Sequence, residues 1–493
     1  MAVKKQFFIL PQNQRFEFFR KLIEELASNK ANQVFIFSNR DSRLEGMSTN
    51  ENVHFFDLKY SQLRTYVLER NLPLGEDLVH KSELKVGVPS SRILMSDERK
   101  VGAGYRNGSW RWFSDPIASQ VLKEPKLATQ LLSAAFLFWN SKIKELKPDV
   151  IIAGSSTGLF NGALYYLSAY HNINFMINRR SKILDDRYFW TCSWLEKNDK
   201  CEMLVNKFME ERRKPSTFAS ELISSFAEKP RTIKYISKNW SLNKKKSLTS
   251  KVRLYVGTLR ASLEYSLGLR RGDKPVGVLQ RLQLDACMAL TYCYKKIVFA
   301  TSTINDLDGL KFVYLPLHKE PELALNKYCP LWHDQLHLIR WLSCNLPIGY
   351  CLVVKDHRFN DQRRTIGFYR AIKSLPNVVL VNSQTDQFQL IQGSKLVLTI
   401  NGSSGFEALV LGKPMIFFGA TFYDEVAVSC KLRDAESLGK KLQEILIESS
   451  ASKVFNKDAL KLLVDAELMS TYPEAFPKNK RLVERSLKEC LPK

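Results

Sequence analysis

Short apolar runs and amphipathic stretches of helical period alternate along most of the chain. Gln6–Leu10, Gln33–Ser38 and, more weakly, Val53–Asp57 read as strands. Between the first two, Phe16, Phe19, Leu22 and Ile23 mark one face of a helix over Arg15–Leu26. A long helical pattern, Lys126–Leu146, leads through Lys147 and Pro148 into a buried-type strand at Asp149–Ala153. The small polar loop 154–158 follows, then a helix over Phe160–Tyr170 and a strand over Asn174–Ile177. Strand, small polar loop, helix is the doubly wound pattern, in which ligands collect at the carboxyl ends of strands.

The region from about 200 to 300 reads as largely helical, and the α/β pattern then restarts. Lys311–Leu315, Tyr350–Lys355, Val378–Asn382, Leu396–Ile400 and Met415–Phe418 are predicted strands. Asp334–Asn345, Asp361–Ser374, Asp386–Gly393 and Phe406–Leu411 are predicted helices. The expectation is therefore an α/β protein with two Rossmann-like domains facing a cleft. An N-terminal, acceptor-side domain spans 1–225, a basic helical connection 226–305, a nucleotide-sugar domain 306–465 and a C-terminal helix 466–493.

Composition excludes several classes. Among 493 residues, 45% are hydrophobic and 25% charged, which is ordinary for a globular chain and rules out disorder or a coiled-coil array. The longest apolar run, Leu131–Trp139, is broken by Ser133 and falls short of the ~20 residues a spanning helix needs. The start, with only Phe7–Leu10 as an apolar stretch, lacks a secretory signal pattern, so a cytoplasmic location is expected. Nine scattered cysteines without a CxxC pair read as reduced thiols, and no metal site is expected. His333 and His337, four apart, read as helix surface.

Charge changes the picture. The chain carries a formal net charge of +24, and residues 231–296 hold 15 basic against 3 acidic residues, half of the excess. Such a patch attracts phosphates: nucleic acid, anionic lipid or a charged glycan. Leu248, Val252, Tyr255, Leu259, Leu263 and Leu267 recur there at helical spacing, with Lys251, Arg253, Arg260 and Arg270 around them. A basic amphipathic helix of this kind is a candidate for lying on an anionic membrane, and the plain alternative is a helix packed on its own protein. Few aromatics interleave with the basic residues, which argues against specific RNA recognition.

The candidate chemistry sits beyond strand ends. Asn401–Gly405 lies between a strand and a helix, where free backbone N–H groups, with Ser403 and Ser404 hydroxyls, would bind an anion; Glu407 is placed to reach a ribose hydroxyl. The plain alternative for Ser403 is an N-cap, and for Glu407 a surface acid favoured by the helix dipole. His318 and Lys319 follow the strand at Leu315 and suit phosphate contact or, for His318, proton transfer; Glu320 and Glu322 form a candidate carboxylate site beside a turn at Pro321. Lys355, His357 and Arg358, beyond the next strand, are phosphate-type donors. In the first half, Ser155, Ser156 and Thr157 end one strand, and Arg179, Arg180, Asp185, Asp186 and Arg187 follow another.

The run PLHKEPE at Pro316–Glu322, HDQ at His333–Gln335, KDH at Lys355–His357, NGSSGFEALVLGKP at Asn401–Pro414 and FYDE at Phe422–Glu425 together resemble bacterial capsule polysaccharide synthesis proteins. The resemblance covers roughly 310–425 and is loose in the first half, where Asn178–Arg187 carries it. That family includes the β-Kdo glycosyltransferases, which use CMP-Kdo and extend a lipid-linked acceptor. The resemblance implies the GT-B arrangement of two Rossmann-like domains, with the nucleotide on the second. His357 would bind phosphate, Ser403, Ser404 and Gly405 would cradle it, and Glu407 would face the ribose. Arg358 stands where the family usually has proline, which suggests that Arg358 grips phosphate instead; Asn401-Gly402 opens a loop where threonine is common.

The expected function is a cytoplasmic, membrane-peripheral glycosyltransferase. CMP-Kdo is the favoured donor, used as substrate with no cofactor, and a glycan or glycolipid is the acceptor. Asp186 and Asp185 are the candidate catalytic carboxylates, with His318; Ser155, Ser156, Arg179, Arg187, Lys319 and Glu322 are candidate substrate contacts. The competing reading for Asp185 and Asp186 is an ion-pair cluster, and for Ser155 and Ser156 a helix cap. A non-catalytic capsule assembly partner on a transferase fold, a nucleotide-sugar epimerase and an RNA-binding protein are the other readings.

Overall fold

The computed structural model describes residues 5–12, 15–38, 50–60, 62–63, 76–97, 100–105, 116–228, 248–267, 277–298, 307–320, 322–360, 364–432, 434, 436–448 and 457–473. The first half runs β1 (Gln6–Leu10), α1 (Phe16–Ser28), β2 (Gln33–Ser38), β3 (Val53–Asp57), α2 (Glu76–Val86), α3 (Ser91–Ser96), α4 (Pro116–Lys123), α5 (Lys126–Leu146), β4 (Val150–Ala153), α6 (Leu159–Tyr170), β5 (Asn174–Arg180) and β6 (Arg187–Thr191). Helices α7 (Asp199–Glu210), α8 (Thr217–Glu228), α9 (Leu248–Ser266) and α10 (Val278–Val298) follow. The second half runs β7 (Lys311–Pro316), α11 (Leu323–Asn326), α12 (Gln335–Asn345), β8 (Tyr350–Lys355), α13 (Ile366–Lys373), β9 (Val378–Val381), α14 (Gln387–Gly393), β10 (Leu396–Thr399), α15 (Ser403–Val410), β11 (Met415–Phe417), α16 (Ser437–Leu446), α17 (Lys457–Ser470) and β12 (Tyr472–Pro473).

These strands build two sheets, and the α/β class with two Rossmann-like units stands. The first sheet has the order β12-β6-β5-β4-β1-β2-β3 and is parallel from β5 to β3. Its chain order reverses between β1 and β4. The second sheet, β11-β10-β7-β8-β9, is parallel throughout, with its reversal between β7 and β10. Crevices at such reversals, outside the carboxyl ends of the strands, are where open α/β sheets bind ligands. The strands were legible because they are buried on both faces: Phe8, Ile9, Ile151 and Ile152 in the first sheet, Val313, Tyr314, Leu352 and Val353 in the second, are fully enclosed.

The two halves interlock. Ile183 and Leu184, in the β5–β6 turn, and Cys201, Val205 and Phe208 of α7 share one apolar cluster with Phe406, Leu409 and Leu463. Chain beyond α17 then returns to the first sheet, where β12 pairs antiparallel with β6.

Several elements differ from the sequence expectation. Strand β5 runs on to Arg180, so Arg179 and Arg180 are strand residues, and β6 is an additional antiparallel strand. Helix α15 begins at Ser403 rather than Phe406. Helix α13 begins at Ile366, with residues 361–363 of the expected helix outside the described residues. The turn at Pro321, most of the expected helix 466–493, and stretches 229–247 and 268–276 of the basic connection also lie outside them.

Candidate functional site

The chain leaves β7 at Pro316 and puts His318 at the sheet reversal. The His318 backbone is held from both sides: its N–H donates to Gln335 Oε1 at 2.6 Å, and its carbonyl accepts from Gln335 Nε2 at 3.2 Å and Asn360 Nδ2 at 2.9 Å. Its Nδ1 lies 3.4 Å from Glu322 Oε2. Beneath it, Arg364 pairs with Glu320 at 2.8 Å and with Asp356 at 3.1 Å, and Tyr369 donates to Asp356 at 2.8 Å. This buried network of fully partnered charges fixes the loops after β7 and β8 in one register. Glu320 belongs to it, so the expected Glu320–Glu322 carboxylate pair does not form; Glu322 turns to His318 instead. Burial alone would raise Glu322, but His318, His357 and Lys319 outweigh it and hold the carboxyl below its ordinary value.

His357 follows β8. The Phe359 N–H donates to its Nδ1 at 3.1 Å, so that nitrogen carries the lone pair and a neutral ring has its proton on Nε2. Burial lowers the ring's pKa, which favours this neutral donor form. Lys319 lies 4.1 Å from the Phe359 ring centroid, a cation–π contact. Arg358 donates instead to the carbonyls of Ser383 and Gln384 at 3.2 and 3.1 Å. It fastens the loop after β8 to the loop after β9.

From β10 the chain enters α15, with Gly402 as N-cap and Ser403, Ser404 and Gly405 as the first turn. The plain N-cap alternative for Ser403 therefore falls to Gly402. First-turn N–H groups have no carbonyl of their own helix to donate to. Gly402 is needed for its closeness to His318: an added Cβ would sit 3.3 Å from His318 Cε1 and 3.1 Å from Thr399 Oγ1. At Gly405 a Cβ would meet Tyr423 Oη at 2.2 Å, and that hydroxyl donates to the Gly402 carbonyl at 2.8 Å. The two glycines thus let Tyr423 and His318 shape the loop.

Glu407 is the fifth residue of α15, not in its first turn, and it is buried. Gln387 donates to its Oε2, and Oε1 is buried with no hydrogen-bond partner of good geometry. Burial raises this carboxyl to about 7, against the smaller opposing effects of Gln387, Ser403 and the charge of the buried Lys355. Glu407 is therefore no surface acid.

Across the cleft, the residues gather differently from expectation. Glu196 was not read from the sequence, and it is the centre. It stands in a loop at φ 55°, a left-handed conformation that costs a non-glycine residue free energy. Ser155 donates to its Oε1 at 2.8 Å, and the Ser156 N–H donates there at 2.9 Å. Arg179 lies 3.1 Å from Oε2, and Lys327, from the second half, lies 2.9 Å from Oε1. The Glu196 and Lys327 side chains are both 0% exposed. Burial alone would raise Glu196, but Lys327 and Arg179 outweigh it and hold it well below the carboxylate range. Ser155 and Ser156 are thus engaged by Glu196 and do not cap the following helix, whose N-cap is Gly158. Lys182, a second residue missed in the sequence, faces Arg179, Glu322 and Glu196, and burial lowers it to about 8.

Asp185 and Asp186 form the exposed turn between β5 and β6, Asp186 at φ 53°. Arg187 leaves that group: it donates to Thr471 Oγ1 at 2.7 Å and to the Leu468 carbonyl at 2.8 Å. It ties the end of α17 to the first sheet. Among the described residues no three His, Cys, Asp or Glu are grouped to hold a metal.

Residues 327–460 match the family model of capsule polysaccharide biosynthesis proteins. Four of the five motifs that carry the resemblance, from His333 to Glu425, lie within that segment, and PLHKEPE lies before it. No curated protein matches the chain. Solved structures that it is similar to include a β-Kdo 2,7 transferase, KpsC of Thermosulfurimonas dismutans, at 14% identity over 71% of this chain and 88% of that one, TM-score 0.32. A β-Kdo 2,4 transferase of KpsC is similar at 12% identity over 65% and 79%, TM-score 0.30. A UDP-GlcNAc 2-epimerase from Neisseria meningitidis is similar at 13% identity over 94% and 100%, TM-score 0.27. Similarity at this level assigns no activity to the chain.

Proposed function

We propose that the chain is a glycosyltransferase of capsule or surface-glycan synthesis that moves a sugar from a nucleotide-sugar donor, CMP-Kdo favoured, to a lipid-linked or polysaccharide acceptor. One observation carries the reading. At the reversal of the second sheet, His318 lies against Gly402, with the first turn of α15, His357 and a buried Glu407 around them. That arrangement supplies N–H donors for a phosphate and a carboxyl for a ribose. In this reading His357 Nε2–H and the Ser403 and Ser404 amides hold the donor phosphate. His318, aligned by Glu322, faces the bond that breaks between sugar and phosphate. Arg179 and Lys182 bring positive charge from the first half toward an acidic sugar. The new bond forms from an acceptor hydroxyl, whose proton goes to Asp186 or Asp185, and the nucleoside phosphate leaves.

Calorimetric titration with CMP, UDP and GDP, followed by turnover of the matching nucleotide sugars, tests the proposal. CMP binding lost in His357→Ala, with turnover lost but binding kept in Asp186→Asn, supports it. Preference for UDP discards Kdo. Sugar conversion without any acceptor makes the chain an epimerase, and a folded chain that binds no nucleotide is no transferase.

A further inference from the structure

Helices α9 and α10 pack on each other, with the Tyr255 hydroxyl donating to Asp285 at 2.6 Å. They are fastened to the second half, where Arg370 Nε donates to the Tyr294 hydroxyl at 2.5 Å. Their outer faces are unusual for a globular protein. On α9 and just past its end, Val256, Leu259, Leu263 and Leu267 follow at spacings of three and four and all are exposed, Leu267 by 71%. On α10, Leu279, Leu282 and Leu290, three and eight positions apart, also share one helix face, with Leu279 81% and Leu290 67% exposed. Two neighbouring helices thus each carry an apolar stripe in water, and such faces mark interaction sites. The structure also refines the sequence expectation: Tyr255 turns to α10 and Val256 takes its place on the outer stripe.

Charge selects the partner. By sequence the two helices carry six basic residues against two acidic ones, Glu264 and Asp285, and Arg253 and Arg260 are exposed beside the α9 leucines, Arg260 also pairing with Glu264. A second copy of the chain would bring the same charge against this face. An anionic bilayer complements both features: leucines enter the acyl boundary and basic side chains meet the headgroups. No helix among the described residues is long and apolar enough to cross a membrane.

We propose that α9 and α10 form a membrane-docking surface that lies on anionic lipid through their exposed leucine stripes. This goes beyond the transferase reading and does not depend on it.

The test is cosedimentation of the full chain with phosphatidylcholine vesicles, with and without phosphatidylglycerol. Binding to the anionic vesicles only is expected, weakening as salt rises. Leu259→Asp with Leu263→Asp should weaken binding at least about tenfold, since charged side chains replace two apolar anchors. Arg253→Glu should weaken it by about fivefold or more, as one cation near the surface is lost. All three positions are exposed, so an unchanged melting temperature serves as the control for folding. Wild type that ignores anionic vesicles overturns the proposal. So does binding that survives the double leucine variant, which would be diffuse charge attraction. A dimer in sedimentation analysis that the leucine variant dissolves, without vesicle binding, overturns it in favour of a second copy.

Discussion

Glu407→Gln separates a titrating buried acid from a merely structural one. Burial shifts this carboxyl from 4.5 to about 7, so its charged form is disfavoured in the folded chain by roughly 3 kcal/mol. The direction follows from proton linkage. The folded state binds the proton more tightly than the unfolded one, so Glu407 contributes stability that is full below about 4.5 and lost as pH rises through about 7. Glutamine keeps the shape and cannot ionise. Wild type should therefore lose roughly 2–3 kcal/mol relative to Glu407→Gln between about pH 5 and pH 8.5. For a chain of this length that is a few degrees of melting temperature, within reach of scanning fluorimetry. A gap between the two proteins that stays constant across that range refutes the titration.

The same carboxyl makes a second statement about ligands. A carboxylate accepts hydrogen bonds from two ribose hydroxyls, and the protonated acid accepts them less well. If nucleotide binding takes the charged form, affinity should rise with pH up to about 7 and level off above it. It should change by up to about tenfold per pH unit on the acid side, and Glu407→Gln should remove the dependence. Affinity that is flat with pH in wild type refutes Glu407 as the ribose contact, while the fluorimetry result would stand.

Two further outcomes test the frame of the site. Lys327→Met leaves Glu196 buried without its cation from the second half and should destabilise the chain by about 3–5 kcal/mol in chemical denaturation; a change under about 1 kcal/mol would mean that Arg179 and the serines suffice. Gly405→Ala drives a methyl group onto Tyr423 Oη and should cost about 1–3 kcal/mol. Tyr423→Phe removes the atom met at 2.2 Å and should recover part of that loss; no recovery would place the strain elsewhere.

What was legible in the sequence, and what was not, follows from how each part is held. Strands such as Val150–Ala153 and Tyr350–Lys355 show as apolar runs because both faces are covered, so a local pattern carries the whole signal. The loops after β7, β8 and β10 were legible as candidate donors because each lies directly beyond such a run. The roles of their neighbours were not. Arg358 meets carbonyls beyond β9, and Arg187 meets the end of α17, almost three hundred positions away. Strand β6 stayed hidden because an antiparallel addition to a parallel sheet follows a turn of charged residues, Asp185 and Asp186, which read as a binding loop.

Glu196 is the sharpest case, and it bears on how the two halves work together. Nothing nearby in sequence marks it: it sits between Leu195 and Lys197 in an irregular loop, and Ser156 and Lys327 among its partners are 40 and 131 positions distant. Its side chain is nevertheless the point where the β4 loop, β5 and the residue after α11 meet. The loop after β4 stands at the reversal of the first sheet, and the chain from β7 through α11 stands at that of the second. A charge buried between them joins these two sheet ends by electrostatics rather than by a strand or helix. Separating the halves would strip Lys327 of its carboxylate and leave Glu196 with only Arg179 and the two serines in a dry interior, so the pair resists separation at this point. The candidate nucleotide side and the candidate acceptor side are thus held in register by residues that belong to neither motif.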